Sequence, residues 1–390
     1  MELGPSPLAN AFLKEEELVL DEPFYPLDVY FCSECGLVQL IDVVLPEVLF
    51  KDYVYLTGMS ETMKKHFYML AEDAVHNFNV NKNDLVVDIG SNDGTLLKAF
   101  RQFGVRTLGI EPASNIALVA AREGIHTINA LFSLDVASKI VDEEGNAKVI
   151  TGTNVFAHVN DLASFLQAIT KLLDHDGVFI IEVPYLVDLL TNNAFDTIYH
   201  EHLSYFSLKP LVRLFKRFDM ELFNVKRTDV HGGSIRCYVR KAPSEINTTV
   251  NQLLALEEDL KLNSLKTFLD YNSKVKLTKS KLRGLLNGLK KKGYRLIGYG
   301  AAAKGNTLLN YCKIGTNLLD YIVDNTPLKQ GLYTPGMHIP VLSPERILSD
   351  MPDFVLLLAW NYLDEILKKE TRFRELGGKF IVPIPEPRII

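Results

Sequence analysis

Leu85-Val-Val-Asp-Ile-Gly-Ser-Asn-Asp-Gly94 decides how this chain folds. An apolar, β-branched run carries Asp88 near its end, and a glycine-rich turn follows it. Thr95–Phe103 then has helical spacing, so the stretch reads as strand, tight turn and helix. Gly90 and Gly94 let the backbone turn sharply and come close to a ligand. Downstream, Thr107-Leu-Gly-Ile-Glu111 reads as a strand, Ser114–Glu123 as a helix and Lys148-Val-Ile-Thr-Gly152 as a strand. Leu162–Leu173 is a further helix and Gly177-Val-Phe-Ile-Ile-Glu-Val183 a further strand. Such alternation makes a parallel, doubly wound α/β sheet.

The loop has the form D-x-G-x-x-x-G, not the G-x-G-x-x-G of dinucleotide enzymes. Glu111 closes the next strand, where a carboxylate can accept both ribose hydroxyls of an adenosyl group. The combination looks like the S-adenosylmethionine site of class I methyltransferases. Its donor-binding positions here are Asp88, Gly90, Ser91, Asn92, Gly94, Glu111, Pro112 and Asn154. A ligand-free turn is the bland alternative; Glu111-Pro112 and Thr153-Asn154, each at a strand end, weigh against it.

The rest of the chain repeats the design once. Residues 251–292 are rich in Leu, Lys and Glu without proline, which reads as a long helix or a helical pair. Beyond it, Arg295-Leu-Ile-Gly-Tyr-Gly300 and Ala301-Ala-Ala-Lys-Gly-Asn306 give strand, glycine turn and helix again, with strands at Asp320–Asp324 and Phe354–Ala359. A length of 390 residues accommodates two or three domains. A formal charge of −6 argues against nucleic acid or an anionic membrane as the main partner. No apolar run approaches the roughly 20 residues of a membrane span, and no signal pattern opens the chain, so a cytoplasmic location is expected. Four scattered cysteines make no disulfide framework. The oligomeric state, monomer or homodimer, stays open.

Tyr199-His-Glu-His-Leu-Ser-Tyr-Phe206 holds acid–base chemistry: two histidines around a carboxylate, with tyrosines on either side. If the segment is extended, His200 and His202 share one face and Tyr199 and Glu201 the other. A metal pair and an ordinary strand edge are the alternatives; no H-E-x-x-H pattern accompanies it. His231-Gly-Gly-Ser-Ile-Arg236 is either a hairpin turn, since Gly-Gly suits positive φ, or a substrate contact.

Taken in order, Cys32-Ser-Glu-Cys-Gly-Leu-Val-Gln-Leu40, Tyr53-Val-Tyr-Leu-Thr57, Asp88–Gly94, Asn154-Val-Phe-Ala-His158, Tyr199–His202, His231–Arg236 and Gly298–Asn306 resemble the sugar C-methyltransferases. That resemblance covers nearly the whole chain. It implies a zinc-ribbon-like segment over 1–56, a methyltransferase domain over 57–245, a helical linker over 246–292, and a Rossmann-like nucleotide-sugar domain over 293–390. It implies His202 as the base, with Glu201, Tyr199, His158 and Tyr53 in the active site. The implied reaction adds a methyl to a ring carbon, C3 by the family's best-known chemistry, of a dTDP-linked keto-deoxysugar. His231, Gly232, Gly233, Ser234, Arg236, Gly300, Lys304, Asn306 and Asp324 are then substrate contacts. Zinc is implied at Cys32 and Cys35, but a structural site takes four ligands. The second cysteine pair that family members carry upstream of Pro7-Leu-Ala-Asn10 is missing from this sequence. Two rivals remain: a nicotinamide oxidoreductase using Gly298–Gly305, whose position 303 is alanine where a dinucleotide loop has its third glycine, and a silent sugar-nucleotide-binding protein.

Overall fold

The computed structural model describes residues 1–49 and 56–390. Tyr53 lies outside the described residues.

Three sheets organise the chain. The central one orders its seven strands as Thr127–Ile128, Arg106–Ile110, Leu85–Ile89, Ala147–Thr153, Leu173–Pro184, Ser234–Lys241 and Met220–Thr228. The first five run parallel, and Ser234–Lys241 is antiparallel to both neighbours. Every side chain of Leu85–Ile89 is buried, as a central parallel strand with helices on both faces requires. This is the class I methyltransferase arrangement expected from the sequence.

The C-terminal sheet orders Val341–Leu342, Ile322–Val323, Leu296–Tyr299, Phe354–Leu357, Lys379–Val382 and Arg388–Ile389, parallel except for the last pair. In both sheets the first strand of the unit, Leu85–Ile89 or Leu296–Tyr299, lies where the order reverses. Ligands bind at the carboxyl ends of strands at such switch points. The stretch read as a helix or helical pair is two helices, Thr248–Asp259 and Leu265–Lys291.

The third sheet is small and antiparallel: Val29–Phe31, Val38–Leu40 and Ser204–Tyr205. Its register pairs Val38 with Tyr205 and Gln39 with Ser204. The N-terminal segment is thereby joined to the strand that follows the histidine-rich motif. It is also tied to the C-terminal unit, through a bridge between Leu13 and Tyr333 and through Glu22, which accepts from the Gly336 amide at 3.0 Å and meets His338.

Candidate active site

The carboxyl ends of both parallel sheets open onto one cavity of about 690 Å3. Asp88, Gly90, Ser91, Asn92, Glu111, Pro112 and Asn154 form one wall, and Gly300, Lys304 and Asp324 belong to the opposite one. His158, Tyr199, Glu201 and His202 line the space between.

The first wall is a built cradle. Gly90 has φ +65°, and a Cβ there would come within 2.4 Å of Val155. Asn92, at φ 51°, presents its side-chain oxygen to the Thr57 amide at 3.0 Å, closing the loop from the helix side. The Glu111 carboxylate accepts the Asn92 amide at 2.9 Å and the Ala113 amide at 2.8 Å, so the acid is aimed by the loops it joins. Burial raises its pKa and these two amides oppose that. Asp88 accepts from the Thr151 hydroxyl at 2.6 Å, and desolvation pushes its carboxyl up to about 7. A cramped glycine turn with two oriented buried acids fits an adenosyl ligand. Gly94 serves differently: at φ +75° it caps helix Thr95–Arg101 and does not line the cavity.

The histidine-rich segment Tyr199–Phe206 begins as a turn, not a strand; within it only Ser204–Tyr205 forms a strand. The face rule for extended chain therefore fails. Tyr199, Glu201 and His202 all reach the cavity, whereas His200 turns away, toward the Tyr25 and Pro26 carbonyls at 3.3 and 3.1 Å. His202 Nδ1 lies 2.7 Å from the Thr197 carbonyl. A carbonyl only accepts, so Nδ1 carries the proton and Nε2 offers its lone pair. The Tyr199 hydroxyl donates to Nε2 at 2.8 Å.

Packing sets the two histidines beside each other. Phe156 stacks on Phe206 with centroids 5.3 Å apart, and the Leu203 amide donates to the Ala157 carbonyl at 2.8 Å. The rings of His158 and His202 consequently sit 5.0 Å apart. Desolvation lowers the His158 pKa to about 4, which keeps that ring neutral.

Glu201 is buried and its carboxyl is pushed up to about 7 by desolvation, against the Asn10 amide, which donates at 2.6 Å, and the charge of Lys329. In the unfolded chain the same group ionises near the ordinary carboxylate value, so the folded state holds its proton over a wider range. Its effect on stability is therefore least unfavourable below about pH 4 and most unfavourable above about pH 7. We expect Glu201→Gln to melt higher than wild type at pH 8, by on the order of a few °C, with the gap closing as pH falls to 5; thermal melts over pH 5–8 check this.

The structure corrects three groups of expected contacts. Arg236 points into the protein, donating to Glu182 at 2.9 Å and approaching His66 Nε2 at 3.2 Å, so it braces helix Glu61–Asn77 and does not line the cavity. Gly232 and Gly233 belong to the connection before strand Ser234–Lys241, and with Ser234 they lie outside the cavity lining; a Cβ on Gly233, at φ +115°, would come within 2.4 Å of Asp188. The side chain of His231 lies outside the described residues. Asn306 also lies outside the lining and donates to the Ala9 carbonyl at 2.7 Å. Asn10 and Lys329 are among the cavity residues that escaped the sequence reading. Asn10 was quoted only as part of Pro7-Leu-Ala-Asn10, and Lys329, buried with its ammonium on the Ala301 carbonyl at 2.8 Å, only as a loop residue. Neither sits in a motif whose spacing signals chemistry.

Cys32 and Cys35 are half-buried thiols, and among the described residues no group of three or more His, Cys, Asp or Glu side chains could hold a metal. Two thiols do not complete a four-ligand zinc site. Among the described residues no helix is long and apolar enough to cross a membrane.

Residues 63–225 match the family described as "Methyltransferase domain", 229–385 the "C-methyltransferase C-terminal domain", and 1–50 the "Putative zinc binding domain". The C-methyltransferase NovU of Streptomyces niveus is 41% identical over 99% of this chain and 93% of its own length. A ubiquinone biosynthesis O-methyltransferase of Rhodopseudomonas palustris is 28% identical over 25% of this chain and 38% of its own. Among solved structures, a SAM-dependent methyltransferase from Anabaena variabilis has 16% identity and TM-score 0.38, covering 46% of this chain and 86% of that one. Another from Clostridium acetobutylicum has 13% identity and TM-score 0.37, covering 46% and 92%. With a C-methyltransferase matched from end to end and family models over both of its large units, this chain belongs to the S-adenosylmethionine-dependent C-methyltransferases.

Proposed function

We propose that the enzyme methylates a ring carbon, C3, of a dTDP-linked keto-deoxysugar, with His202 as the base. The observation that carries this reading is the tautomer of His202: Nδ1 is held by the Thr197 carbonyl, so Nε2 is the basic atom on the cavity side. A carbon beside a ketone becomes nucleophilic only after losing its proton, which calls for such a base and for donors to the enolate oxygen.

As the keto-sugar enters, the Tyr199 hydroxyl releases Nε2 and donates to the sugar carbonyl. His202 Nε2 takes the ring C–H proton, and the C–H electrons form the enolate. The donor supplies an electrophilic sulfonium methyl; the enolate carbon forms a C–C bond to it as the S–CH3 bond breaks. His202 then returns its proton to solvent. The Glu201 carboxyl, which Asn10 holds against the cavity, binds the sugar hydroxyls beside the reacting carbon. The nucleotide lies against Gly300, Lys304 and Asp324. The Asp324 carboxylate already accepts the Ala301 and Thr326 amides at 2.7 Å each, which fixes it at the mouth of the second glycine turn.

The test is a panel of dTDP-linked 3-keto and 4-keto hexoses with labelled donor, scored by mass and by the position of the new methyl. Methylation at C3 is the expected result. Donor binding without transfer to any member of the panel, or transfer only to oxygen, would overturn the substrate assignment.

A further inference from the structure

The Thr197 carbonyl sets the base, so whatever fixes Thr197 acts on catalysis. Thr197 ends the short 3-10 turn Phe195–Thr197, whose middle residue, Asp196, is fully buried. The Asp196 carboxylate accepts a hydrogen bond from the Trp360 indole at 2.6 Å, and Trp360 belongs to the C-terminal unit. Lys304 reaches the same place: its ammonium lies 5.4 Å over the Trp360 ring, and its charge opposes the desolvation that pushes the Asp196 carboxyl up to about 6. Phe195 meets Tyr311 of helix Ala303–Cys312, with centroids 5.4 Å apart. The turn is thus gripped on both sides by the unit that carries the second glycine loop.

Asp196 and Trp360 are absent from the cavity wall, while Thr197 and Lys304 form part of it.

We propose that Asp196 is a positioning residue through which Trp360 and Lys304 of the C-terminal unit hold the Thr197 carbonyl, and with it His202, in register for proton abstraction. This rests on His202 being the base. Occupation of the second glycine loop by the nucleotide then bears on the base through Lys304, which belongs both to the cavity and to the grip on Asp196. Remote contacts of a substrate contribute to turnover in this way when they fix the reacting groups.

The test reads proton abstraction directly, as exchange of the ring proton of a dTDP-linked 4-keto hexose with deuterium from solvent, in the presence of S-adenosylhomocysteine. Trp360→Phe removes the indole donor to Asp196 while keeping an aromatic ring beneath Lys304, and is expected to slow exchange and kcat together by roughly 10- to 100-fold. Affinities for S-adenosylhomocysteine and the sugar nucleotide, and the Tm, stay at wild-type values. Asp196→Ala is expected to behave likewise, and Asp196→Asn, which keeps an acceptor for the indole, to recover most of the rate. Wild-type exchange in Trp360→Phe and Asp196→Ala, with none in His202→Ala, overturns the inference and leaves the base assignment standing. Wild-type exchange in His202→Ala overturns both. If Asp196→Ala does not fold, Trp360→Phe decides alone.

Discussion

His202→Ala lowers turnover by roughly 10²- to 10⁴-fold while S-adenosylhomocysteine binds as tightly as before. The direction follows from the site. His202 lines the cavity with Nδ1 on the Thr197 carbonyl, which leaves Nε2, now accepting from the Tyr199 hydroxyl, as the basic atom of the ring. His158, the neighbouring imidazole, is held down to about 4 by desolvation and is a far weaker base, so it does not substitute. The donor cradle is built from other elements, Leu85–Ile89 and the loops after it, and loses no contact in the variant. Steady-state kinetics alongside calorimetric titration check both halves. Turnover within threefold of wild type would remove His202 from the mechanism.

Glu111→Ala weakens S-adenosylhomocysteine binding by roughly 10- to 150-fold, the range for losing a hydrogen bond to a charged group. Two effects add here. The ribose hydroxyls lose their acceptor, and the Asn92 and Ala113 amides lose the carboxylate that holds the glycine turn against the next strand. Glu111→Gln keeps a single acceptor oxygen and falls between the two. Calorimetry on the folded variants measures this, and unchanged affinity in Glu111→Ala would place the donor elsewhere.

The cavity wall built by the first glycine turn was legible because its geometry is local. Asp88, the glycine turn and Glu111 lie within 24 residues of each other in sequence, and each sits at a position that strand and turn geometry define. The acceptor half was legible only in its residue types. Whether His200 or His202 faces the substrate depends on the path of residues 199–203, and the extended-chain rule pairs Tyr199 with Glu201 against both histidines. A turn breaks that alternation and lets three of the four converge. Arg236 misled for a related reason. Its neighbours in sequence are glycines of a hairpin, but its strand carries the side chain inward to Glu182, a partner 54 residues away. Asn10 and Asp196 find their partners, Glu201 and Trp360, in other units, which no local pattern encodes.

The reach of the N-terminal segment has a consequence for biosynthesis. Asn10 meets a carboxylate 191 positions later, Ala9 is held by a side chain 297 positions later, and Glu22 by one 316 positions later. Contacts of such sequence separation form late in folding, and domains emerging from the ribosome fold in order. The donor cradle, whose supporting sheet is complete by Lys241, can therefore assemble while the chain is still being translated. The sugar side must wait for release of the carboxyl terminus. A nascent chain can hold its methyl donor long before it has anywhere to deliver the methyl.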